Sequence, residues 1–370
     1  MRILHTESSL GWGGQELRIL TEAAGLRRRG HDVRVASLRD APIFREAERF
    51  DVPVVALPIG RKGPVGLVAL RRALASERID VVNSHSSTDS WLAALACRAF
   101  WLGKRRPPAL VRTRHISARV PTDAATRWLY TRATAEIVTT GEAIRQQLIR
   151  ANGASPARVT SIPTGIDLDH FVAGDKEAAR RALDLPDNVP LIGIVATLRS
   201  WKGHRYLVEA MTLSTRRDAQ LLIIGGGPQA DAIRAQVGAL GLAQRVRLVG
   251  NQEDVAPWLQ ALDLFALPSY ANEGVPQSLV QAMAVGVPCV TTDAGAIGEI
   301  AINDATALVV AKQNAVALAA GIDRLLGDAA LSARLVWSAR DRVHTKFGIR
   351  AMLDGMETVF RRAADANRYR

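Results

Sequence analysis

Short apolar runs alternate with longer amphipathic segments along almost the whole chain. The short runs are rich in Val, Ile and Leu, as expected for strands that are buried on both faces of a parallel sheet. The longer segments repeat apolar residues every three or four positions, which predicts helices. Strands that alternate with helices are typical of an α/β fold. The strands predicted in the first half are 2–6, 33–37, 52–57, 80–83, 109–113 and 137–140.

The same alternation resumes at residue 191, after a polar stretch that we interpret as a linker with one short helix. Because 370 residues exceed the size of one ordinary core, two doubly wound domains are predicted. The strands predicted in the second half are 191–196, 221–224, 246–250, 264–267 and 289–292. The predicted parts of the chain are an N-terminal domain at 1–172, the linker at 173–190, a C-terminal domain at 191–346 and a C-terminal helix at 347–370.

The segment 268–300 carries the strongest chemical signal. Its first loop contains Glu273 and Gly274 and leads to Pro276, a residue that suits the first turn of a helix. The N–H groups at such a helix start suit a phosphate, and Glu273 just ahead of it suits a sugar hydroxyl. A second strand and a turn at 293–296 follow, and another helix is predicted after that turn.

The helix predicted after Pro276 has two distinct faces. Its apolar residues recur at helical spacing and form a buried face, so the polar residues share the opposite face and border a cleft. The predicted buried residues are Leu279, Val280, Met283 and Ala284, and the polar ones are Gln277, Ser278 and Gln281.

Other candidate binding residues follow predicted strands, where ligands of doubly wound sheets gather. His85 and His115 each come just after a strand, although a histidine is more often structural than catalytic. Arg199 and Lys202 lie in the turn after strand 191–196, and two cations there can neutralise a diphosphate. The glycines of the first strand-to-helix loop allow a ligand close to the backbone, although a tight turn explains them equally well. They are Gly11, Gly13 and Gly14.

Charge is unevenly distributed. Residues 1–185 contain 29 Lys and Arg against 19 Asp and Glu, whereas the remainder contains 19 against 17. A basic half attracts nucleic acid, an anionic membrane or a phosphorylated acceptor, and a solvated Arg-rich surface is an equally open interpretation. Basic residues flank His115, follow the aromatic pair Phe100 and Trp101, and occupy one helix. They are Arg112, Arg114 and Arg119, then Lys104, Arg105 and Arg106, and then Arg71 and Arg72.

The cysteines and apolar segments indicate a cytoplasmic protein. Cys97 and Cys289 lie inside apolar runs, which favours buried thiols in a reducing compartment. No apolar run has the length of a signal peptide or a membrane span. Asp167 and Asp169 form a D-x-D string, but no other carboxylate or histidine cluster joins it, so no metal is expected.

The run E-G-V-P-Q-S-L-V-Q-A-M-A resembles the donor-site segment of the retaining nucleotide-sugar glycosyltransferases of family four, which have two facing Rossmann-like domains, the GT-B fold. In that family the run is E-G-x-P-x-S-L-x-E-A-M-A, so Glu273 matches the first Glu and Gln281 replaces the second. The segment I-P-T-G-I-D and the residues around Phe347 resemble the family's domain junction and closing segment. The resemblance spans nearly the whole chain.

This resemblance implies transfer of a sugar, with retention and without a metal, from a UDP- or GDP-sugar. The acceptor would attack from the front face, and the leaving phosphate would take its proton. In this scheme Glu273 and His115 contact the sugar, Lys202 and Arg199 the diphosphate, and Gln281 the ribose. The donor-binding residues implied are Gly13, Gly14, Asn251, Gly274, Val275, Pro276, Ser278, Leu279 and Gln281. The residues implied on the acceptor side are His85, Arg112 and Arg114.

The basic first half predicts an anionic acceptor at a membrane surface, such as a lipopolysaccharide core or a related cell-envelope glycolipid. Two alternatives of the same fold are a sugar-nucleotide epimerase and a relative of glycogen phosphorylase. A non-enzymatic nucleic-acid-binding protein is an alternative of another class. The sequence lacks the interleaved aromatic residues of a base-stacking surface, so we expect no nucleic acid as partner.

Overall fold

A computed structural model describes residues 1–100 and 106–368 of the chain. It contains two compact units: the first comprises Met1–Thr164 and Arg350–Arg370, and the second Gly165–Ile349. Each unit has its own parallel sheet, which confirms the predicted α/β class with two doubly wound parts. Each predicted strand is present, and β7 and β13 are two further strands that the apolar pattern was too short to indicate.

The first unit contains a seven-stranded sheet in the order β3-β2-β1-β4-β5-β6-β7. The chain reverses direction across the sheet between β1 and β4, so this point is where a doubly wound sheet leaves a crevice for ligands. The strands are β1 (Arg2–Glu7), β2 (Asp32–Ser37), β3 (Val54–Ala56), β4 (Val81–Ser84), β5 (Ala109–Arg114), β6 (Glu136–Thr139) and β7 (Val159–Ser161). The helices are α1 (Gly14–Arg28), α2 (Pro42–Glu46), α3 (Pro64–Glu77), α4 (Ser87–Ala99), α5 (Ala124–Trp128) and α6 (Glu142–Asn152).

The second unit contains a six-stranded sheet in the order β10-β9-β8-β11-β12-β13, with its reversal between β8 and β11. The strands are β8 (Leu191–Val195), β9 (Gln220–Ile224), β10 (Val246–Gly250), β11 (Leu264–Leu267), β12 (Cys289–Thr291) and β13 (Leu308–Val309). The helices are α7 (Lys176–Ala182), α8 (His204–Leu213), α9 (Ala230–Ala239), α10 (Ala256–Gln260), α11 (Gln277–Val285), α12 (Ala315–Gly327) and α13 (Ala329–Lys346).

The last helix, α14 (Ile349–Arg368), returns to the first unit, as predicted. Phe360 on this helix is fully buried, and the Arg362 guanidinium donates two hydrogen bonds to the Glu136 carboxylate on β6. Gly25 on α1 packs against Leu353, and a Cβ at position 25 would lie 2.5 Å from a Leu353 methyl group. A glycine at this position therefore lets α1 and α14 pack closely.

Two local predictions differ from the structure. The stretch 173–190 belongs to the second unit, because α7 places Arg180 in a buried position where it bonds the Asp263 carboxylate and the Ala261 carbonyl. The helix predicted after the turn at 293–296 is only a single 3-10 turn, Ile297–Glu299. The next residue, Ile300, is buried, so packing against the core holds this short turn in place.

Both cysteines are buried free thiols, as predicted. Burial raises the pKa of the Cys97 thiol to about 12, so it is an inert core residue. Within 1–100 and 106–368, no helix combines the length and apolar character needed to cross a bilayer.

Candidate functional site

Two candidate residues of the second unit form an ion pair. The Lys202 ammonium donates to Oε1 of Glu273 across 2.7 Å, with only 19% of the lysine side chain and 6% of the glutamate side chain exposed. Lys202 follows β8 and Glu273 follows β11, the two strands on either side of the reversal point. The pair therefore lies where sheets of this topology bind ligands.

A glycine fixes the position of Lys202. Gly203 has φ 77°, and a Cβ added there would lie 2.1 Å from the Pro268 carbonyl oxygen. Any other residue would collide with that carbonyl and would also strain the backbone. Gly203 thus lets the loop after β8 pack directly on the loop after β11, which brings the lysine to Glu273.

The E-G-V-P loop is built into the unit and ends at an open helix start. Asn272 adopts φ 59°, a conformation that asparagine tolerates well, and the Glu273 carbonyl accepts a hydrogen bond from Ala296 N. Pro276 occupies the N-cap of α11, and no side chain caps the helix. Its first N–H groups are therefore available to an anion. The buried residues of this loop are Glu273, Gly274, Val275 and Pro276.

The α11 helix is buried more completely than the sequence pattern predicts. Leu279, Val280, Met283 and Ala284 are buried as expected, but Gln281 is buried too, with 7% exposed. Gln277 and Ser278 are half-buried. In the part of the chain that the structure describes, the buried Oε1 atom of Gln277 has no hydrogen-bond partner.

Arg199 and Asn251 lie on two loops of the same unit, after β8 and β10, and β9 separates these strands in the sheet. Arg199 is exposed, and its guanidinium lies over the Trp201 ring at 5.3 Å from the ring centre. Asn251 follows β10, and its amide would lie 2.9 Å from a Cβ on Gly226. The structure brings Lys202 and Glu273 into direct contact, whereas Arg199 contacts Trp201.

The first unit contains a chain of three hydrogen-bonded histidines. Nδ1 of His85 and Nε2 of His115 are 2.9 Å apart, so the structure brings these two predicted site residues together. Nε2 of His85 lies 2.9 Å from Nδ1 of His5, a residue that we did not predict to be part of the site. His5 lies on β1 beside β4, and the sequence offers no local signal that marks it.

Buried charges surround the inner end of this chain. Nε2 of His5 lies 3.9 Å from Oε1 of Glu22, and Oε2 of Glu22 lies 3.5 Å from Nε of Arg18, with all three side chains fully buried. Burial, and next the charge of Arg18, lower the pKa of His5 to about 3. Burial raises the pKa of Glu22 to about 7, although Arg18 opposes the rise. Burial also lowers the pKa of His85 and His115 well below the usual range. The three imidazoles are therefore neutral at pH 7.

Two buried carboxylates hold the loop between β1 and α1. Glu7 accepts hydrogen bonds from Ser9 N and from the Ser86 hydroxyl. Asp89 accepts bonds from the backbone N–H groups of His85 and Ser86. Burial, and next the charge of Glu7, raise the pKa of Asp89 to about 7. These carboxylates were absent from the predicted site.

The predicted glycines Gly13 and Gly14 begin α1. Gly13 is the N-cap in an extended conformation with φ 174°, and no side chain caps this helix either. Because extended backbone is open to every residue, these glycines are not required by backbone conformation. We therefore keep the interpretation that these glycines let a ligand come close to the backbone.

Arg112 and Arg114 both precede His115 in the sequence. They share one face of β5, because side chains alternate between the two faces of a strand. Arg112 is 4% exposed, and its guanidinium lies over the Tyr130 ring at 4.9 Å. Within residues 1–100 and 106–368, its Nε and Nη1 atoms have no hydrogen-bond partner. Arg114 donates to the Ala118 carbonyl, and burial lowers its pKa.

Phe100, the first residue of the aromatic pair that precedes the basic cluster, does not lie on the surface. Phe100 is buried, and the Arg71 guanidinium lies over its ring at 6.0 Å. It is therefore a core residue that a basic side chain covers. Trp101, Lys104 and Arg105 lie outside the described residues.

The D-x-D string forms a local turn. Oδ1 of Asp167 accepts a hydrogen bond from Asp169 N at 3.0 Å. Across the described ranges, no three His, Cys, Asp or Glu side chains are grouped so that they could hold a metal ion.

Two family profiles together match most of the chain. "Glycosyltransferase Family 4" matches residues 12–170, and "Glycosyl transferases group 1" matches residues 175–342. The chain belongs to glycosyltransferase family 4. This membership confirms the resemblance inferred from the E-G-V-P segment and identifies the chain as an enzyme that transfers sugars.

A curated relative and two solved structures agree with this assignment. The D-inositol 3-phosphate glycosyltransferase of Mycobacterium tuberculosis is 27% identical over 91% of this chain and 75% of its own length. A glycosyltransferase from Rickettsia africae superposes with a TM-score of 0.85 at 21% identity and covers 98% of both chains. Anabaena HepE, solved in complex with UDP-glucose, superposes with a TM-score of 0.83 at 21% identity, over 97% of this chain and 98% of HepE. These structures confirm that this family 4 glycosyltransferase has the predicted GT-B fold.

Proposed function

We propose that this glycosyltransferase transfers a sugar, with retention of configuration, from a UDP- or GDP-sugar to an anionic glycan or glycolipid of the cell envelope. The observation that carries the donor assignment is the contact between Lys202 and Glu273 at the reversal point of the second sheet. A cation and a carboxylate 2.7 Å apart match the two parts of a nucleotide sugar, because one is anionic and the other carries hydroxyl groups.

In the proposed mechanism, Lys202 and the start of α11 stabilise the negative charge that develops on the leaving diphosphate. Such preorganised charge is commonly the largest single contribution to catalysis. Glu273 accepts hydrogen bonds from the sugar hydroxyls, and Arg199 adds a second cation at the diphosphate. The acceptor attacks from the face that the diphosphate leaves, and the leaving phosphate takes its proton.

The other proposed donor contacts are those that membership of family 4 implies. His115 contacts the transferred sugar, and Gln281 meets the ribose. The position of Gln281 on α11, one turn after the uncapped helix start, supports this assignment. Asn251 is proposed near the base. The remaining proposed donor contacts are Gly13, Gly14, Gly274, Val275, Pro276, Ser278 and Leu279.

The reaction is proposed to need no metal ion, since Lys202, Arg199 and the start of α11 supply the positive charge that a divalent cation supplies elsewhere. Activity should then persist in excess EDTA. Loss of activity in EDTA with recovery on addition of Mg²⁺ or Mn²⁺ would contradict this proposal.

The charge distribution supports an anionic acceptor. Residues 1–164 and 350–370 contain 31 Lys and Arg against 17 Asp and Glu, whereas residues 165–349 contain 17 against 19. The excess of positive charge thus lies in the first unit and not in the unit that contains Lys202 and Glu273. The buried Arg112 guanidinium, with two unpartnered N–H positions, is a candidate contact for an anionic group. Arg114 and His85 are proposed on the same acceptor side.

An exposed surface of the first unit supports contact with an anionic membrane. Val65 and Val68 on α3 and Leu95 on α4 are 70%, 46% and 44% exposed. Lys62 lies over the ring of Trp91 at 5.4 Å, and both residues line a small cavity with Leu95. We name these five residues the α3–α4 surface. Apolar and aromatic side chains next to basic ones are typical of peripheral membrane contacts.

The donor is best identified by a thermal-shift screen of UDP- and GDP-sugars. A ligand that binds only the folded protein raises its melting temperature, and the rise grows with the logarithm of ligand concentration over Kd. We expect one nucleotide series to stabilise the wild-type protein and to lose most of its effect on a Gln281→Leu variant. The absence of a shift with every nucleotide sugar would contradict the proposed donor class.

A further inference from the structure

The two hydrogen bonds that join the three histidines of the first unit limit the tautomers that their rings can adopt. A neutral imidazole has one N–H donor and one acceptor nitrogen. His85 uses both nitrogens, one towards His5 and one towards His115. His85 must therefore donate to one neighbour and accept from the other. Its tautomer then determines the tautomers of both neighbours.

Only two arrangements satisfy both hydrogen bonds. In the first, each ring carries its proton on Nε2: His115 donates to His85, His85 donates to His5, and the His5 N–H points towards Glu22. In the second, each ring carries its proton on Nδ1, all donors are reversed, and His5 turns a lone pair towards Glu22. The free nitrogen of His115 is Nδ1 in both cases, but it is an acceptor in the first arrangement and a donor in the second.

The groups at the inner end favour the first arrangement. Nε2 of His5 has no hydrogen-bond partner among the described residues and lies 3.9 Å from Oε1 of Glu22. Above the Glu22 pKa of about 7 this group is a carboxylate, which attracts an N–H and repels a lone pair, and it does so strongly where water is excluded. The Glu22 carboxylate is held by Arg18 and by the Asn83 amide, so it cannot turn freely away from His5.

We propose that Glu22 and His5 are positioning residues that act through His85 to fix the tautomer of His115, so that His115 keeps its proton on Nε2 and presents Nδ1 as a hydrogen-bond acceptor. This inference deepens the proposed function, because it rests on the assignment of His115 to the transferred sugar. A sugar hydroxyl would then donate to Nδ1 of His115. Which nitrogen of a histidine is protonated is commonly set by the partner of its other nitrogen.

The first test reads the tautomers directly, without substrate. Two-bond proton–nitrogen correlation spectra of ¹⁵N-histidine-labelled protein at pH 8 distinguish the Nε2-H from the Nδ1-H form of each ring. The signals are assigned by single substitution of the histidines. We expect the Nε2-H form at His5, His85 and His115 of the wild-type protein. The Nδ1-H form at His115 would overturn the proposal.

The second test removes the influence of His5. His5→Phe keeps an aromatic ring at this fully buried position but removes both ring nitrogens. In this variant His115 should become a mixture of both tautomers. The kcat should fall roughly 10-fold to 100-fold, as expected for a misplaced contact. His31→Gln, which changes a histidine of the same unit that bonds Glu357, is the control and should leave the His115 spectrum unchanged. A His115 spectrum unchanged in His5→Phe would also overturn the proposal.

The two readouts separate this inference from the proposed function. If His5→Phe changes the His115 tautomer but leaves kcat unchanged, the histidine chain is established and the assignment of His115 to the sugar is wrong. Circular dichroism and thermal melting of His5→Phe establish that it is folded before either result is interpreted. Once its signals are assigned, the wild-type spectrum tests the tautomer of His115 without any kinetic measurement.

Discussion

The Lys202 ammonium lies 2.7 Å from Oε1 of Glu273, although 71 residues separate them in the sequence. The parallel neighbours β8 and β11 bring their following loops together, and Gly203 allows the close packing that completes the contact. The ammonium and the carboxylate are therefore already positioned before a nucleotide sugar binds, which lowers the free-energy cost of ordering them during the reaction.

The first prediction is that Lys202→Ala lowers kcat by about 10² or more, since it removes the charge that stabilises the leaving diphosphate. Steady-state kinetics with a saturating donor measure the effect. Lys312→Ala is the matched control, because Lys312 is a half-exposed lysine of the same unit that pairs with Asp293. Unchanged kcat in a folded Lys202→Ala protein would contradict the assignment.

Lys202→Ala also leaves the Glu273 carboxylate buried without its cation. An unpaired buried charge destabilises a protein, so a fall in melting temperature is expected in this variant. The double variant Lys202→Ala with Glu273→Gln should regain part of the stability but not the activity. Recovery of activity with stability would show that the lysine acts only through folding.

The second prediction concerns Gln281, where the family segment has a glutamate. Gln281→Glu should keep or tighten binding of the free nucleoside diphosphate, by about 1 kcal/mol or roughly fivefold in Kd, because a carboxylate accepts hydroxyl hydrogen bonds more strongly than an amide. Isothermal titration calorimetry provides the measurement, with Gln236→Glu on α9 as control. Weaker binding would show that Gln281 does not meet the ribose.

The third prediction is a pH dependence that arises from His204. In the described part of the chain, neither ring nitrogen of this buried α8 residue has a hydrogen-bond partner. Burial, and next the charge of Lys202, lower the pKa of His204 to about 4, from a usual value near 6.5. Between these values the unfolded chain binds a proton that the native protein does not. The free energy of unfolding therefore falls as pH decreases from 6.5 towards 4.

Replacement of His204 by Gln removes this proton linkage. Between pH 6.5 and 4, the free energy of unfolding should fall less in the variant than in the wild-type protein, and this difference should reach about 3 kcal/mol. Urea unfolding at several pH values measures the difference. His170→Gln is the control, since His170 is an exposed histidine of the same unit. Parallel pH profiles for wild type and His204→Gln would show that His204 titrates normally.

The fourth prediction concerns the α3–α4 surface. Co-sedimentation with vesicles should show binding that increases with anionic lipid content and falls steeply as salt rises, since the Debye length is about 10 Å at 0.1 M salt. Val65→Glu should reduce the bound fraction roughly 10-fold, because it replaces an apolar contact by a negative charge. Val316→Glu is the control at a valine of the second unit that is 67% exposed.

Two outcomes of the vesicle experiment would contradict the membrane assignment. Equal binding to neutral and anionic vesicles would exclude an electrostatic contact. Absence of binding to either would leave the basic first unit as a solvated surface. Binding that survives Val65→Glu would place the contact elsewhere on the chain.

The sequence predicts the site of the second unit better than that of the first. In the second unit, loop and helix chemistry is local: Glu273, Pro276 and Gln281 lie within one short segment, and their spacing alone indicates an open helix start beside a carboxylate. The burial of Gln281 could not be predicted, since it depends on helices that pack around α11.

In the first unit, the important contacts join distant parts of the chain. His5 looks like an ordinary strand residue, and its meaning depends on β4 lying beside β1. The predicted doubly wound order would have allowed His5 to be placed near His85, because the first and fourth strands of such sheets are commonly adjacent. Glu22 lacks even this signal, because its position on the buried side of α1 becomes apparent only from packing.

The measurement that tests the central claim most directly follows a labelled sugar from UDP- and GDP-sugars, with and without an envelope glycolipid extract. The account predicts that one nucleotide sugar is consumed, that its label moves to the acceptor with retained configuration, and that the Lys202→Ala protein does neither at a comparable rate. Release of nucleotide at full rate without any acceptor would indicate an epimerase. No consumption of any nucleotide sugar by the folded protein would contradict the donor assignment altogether.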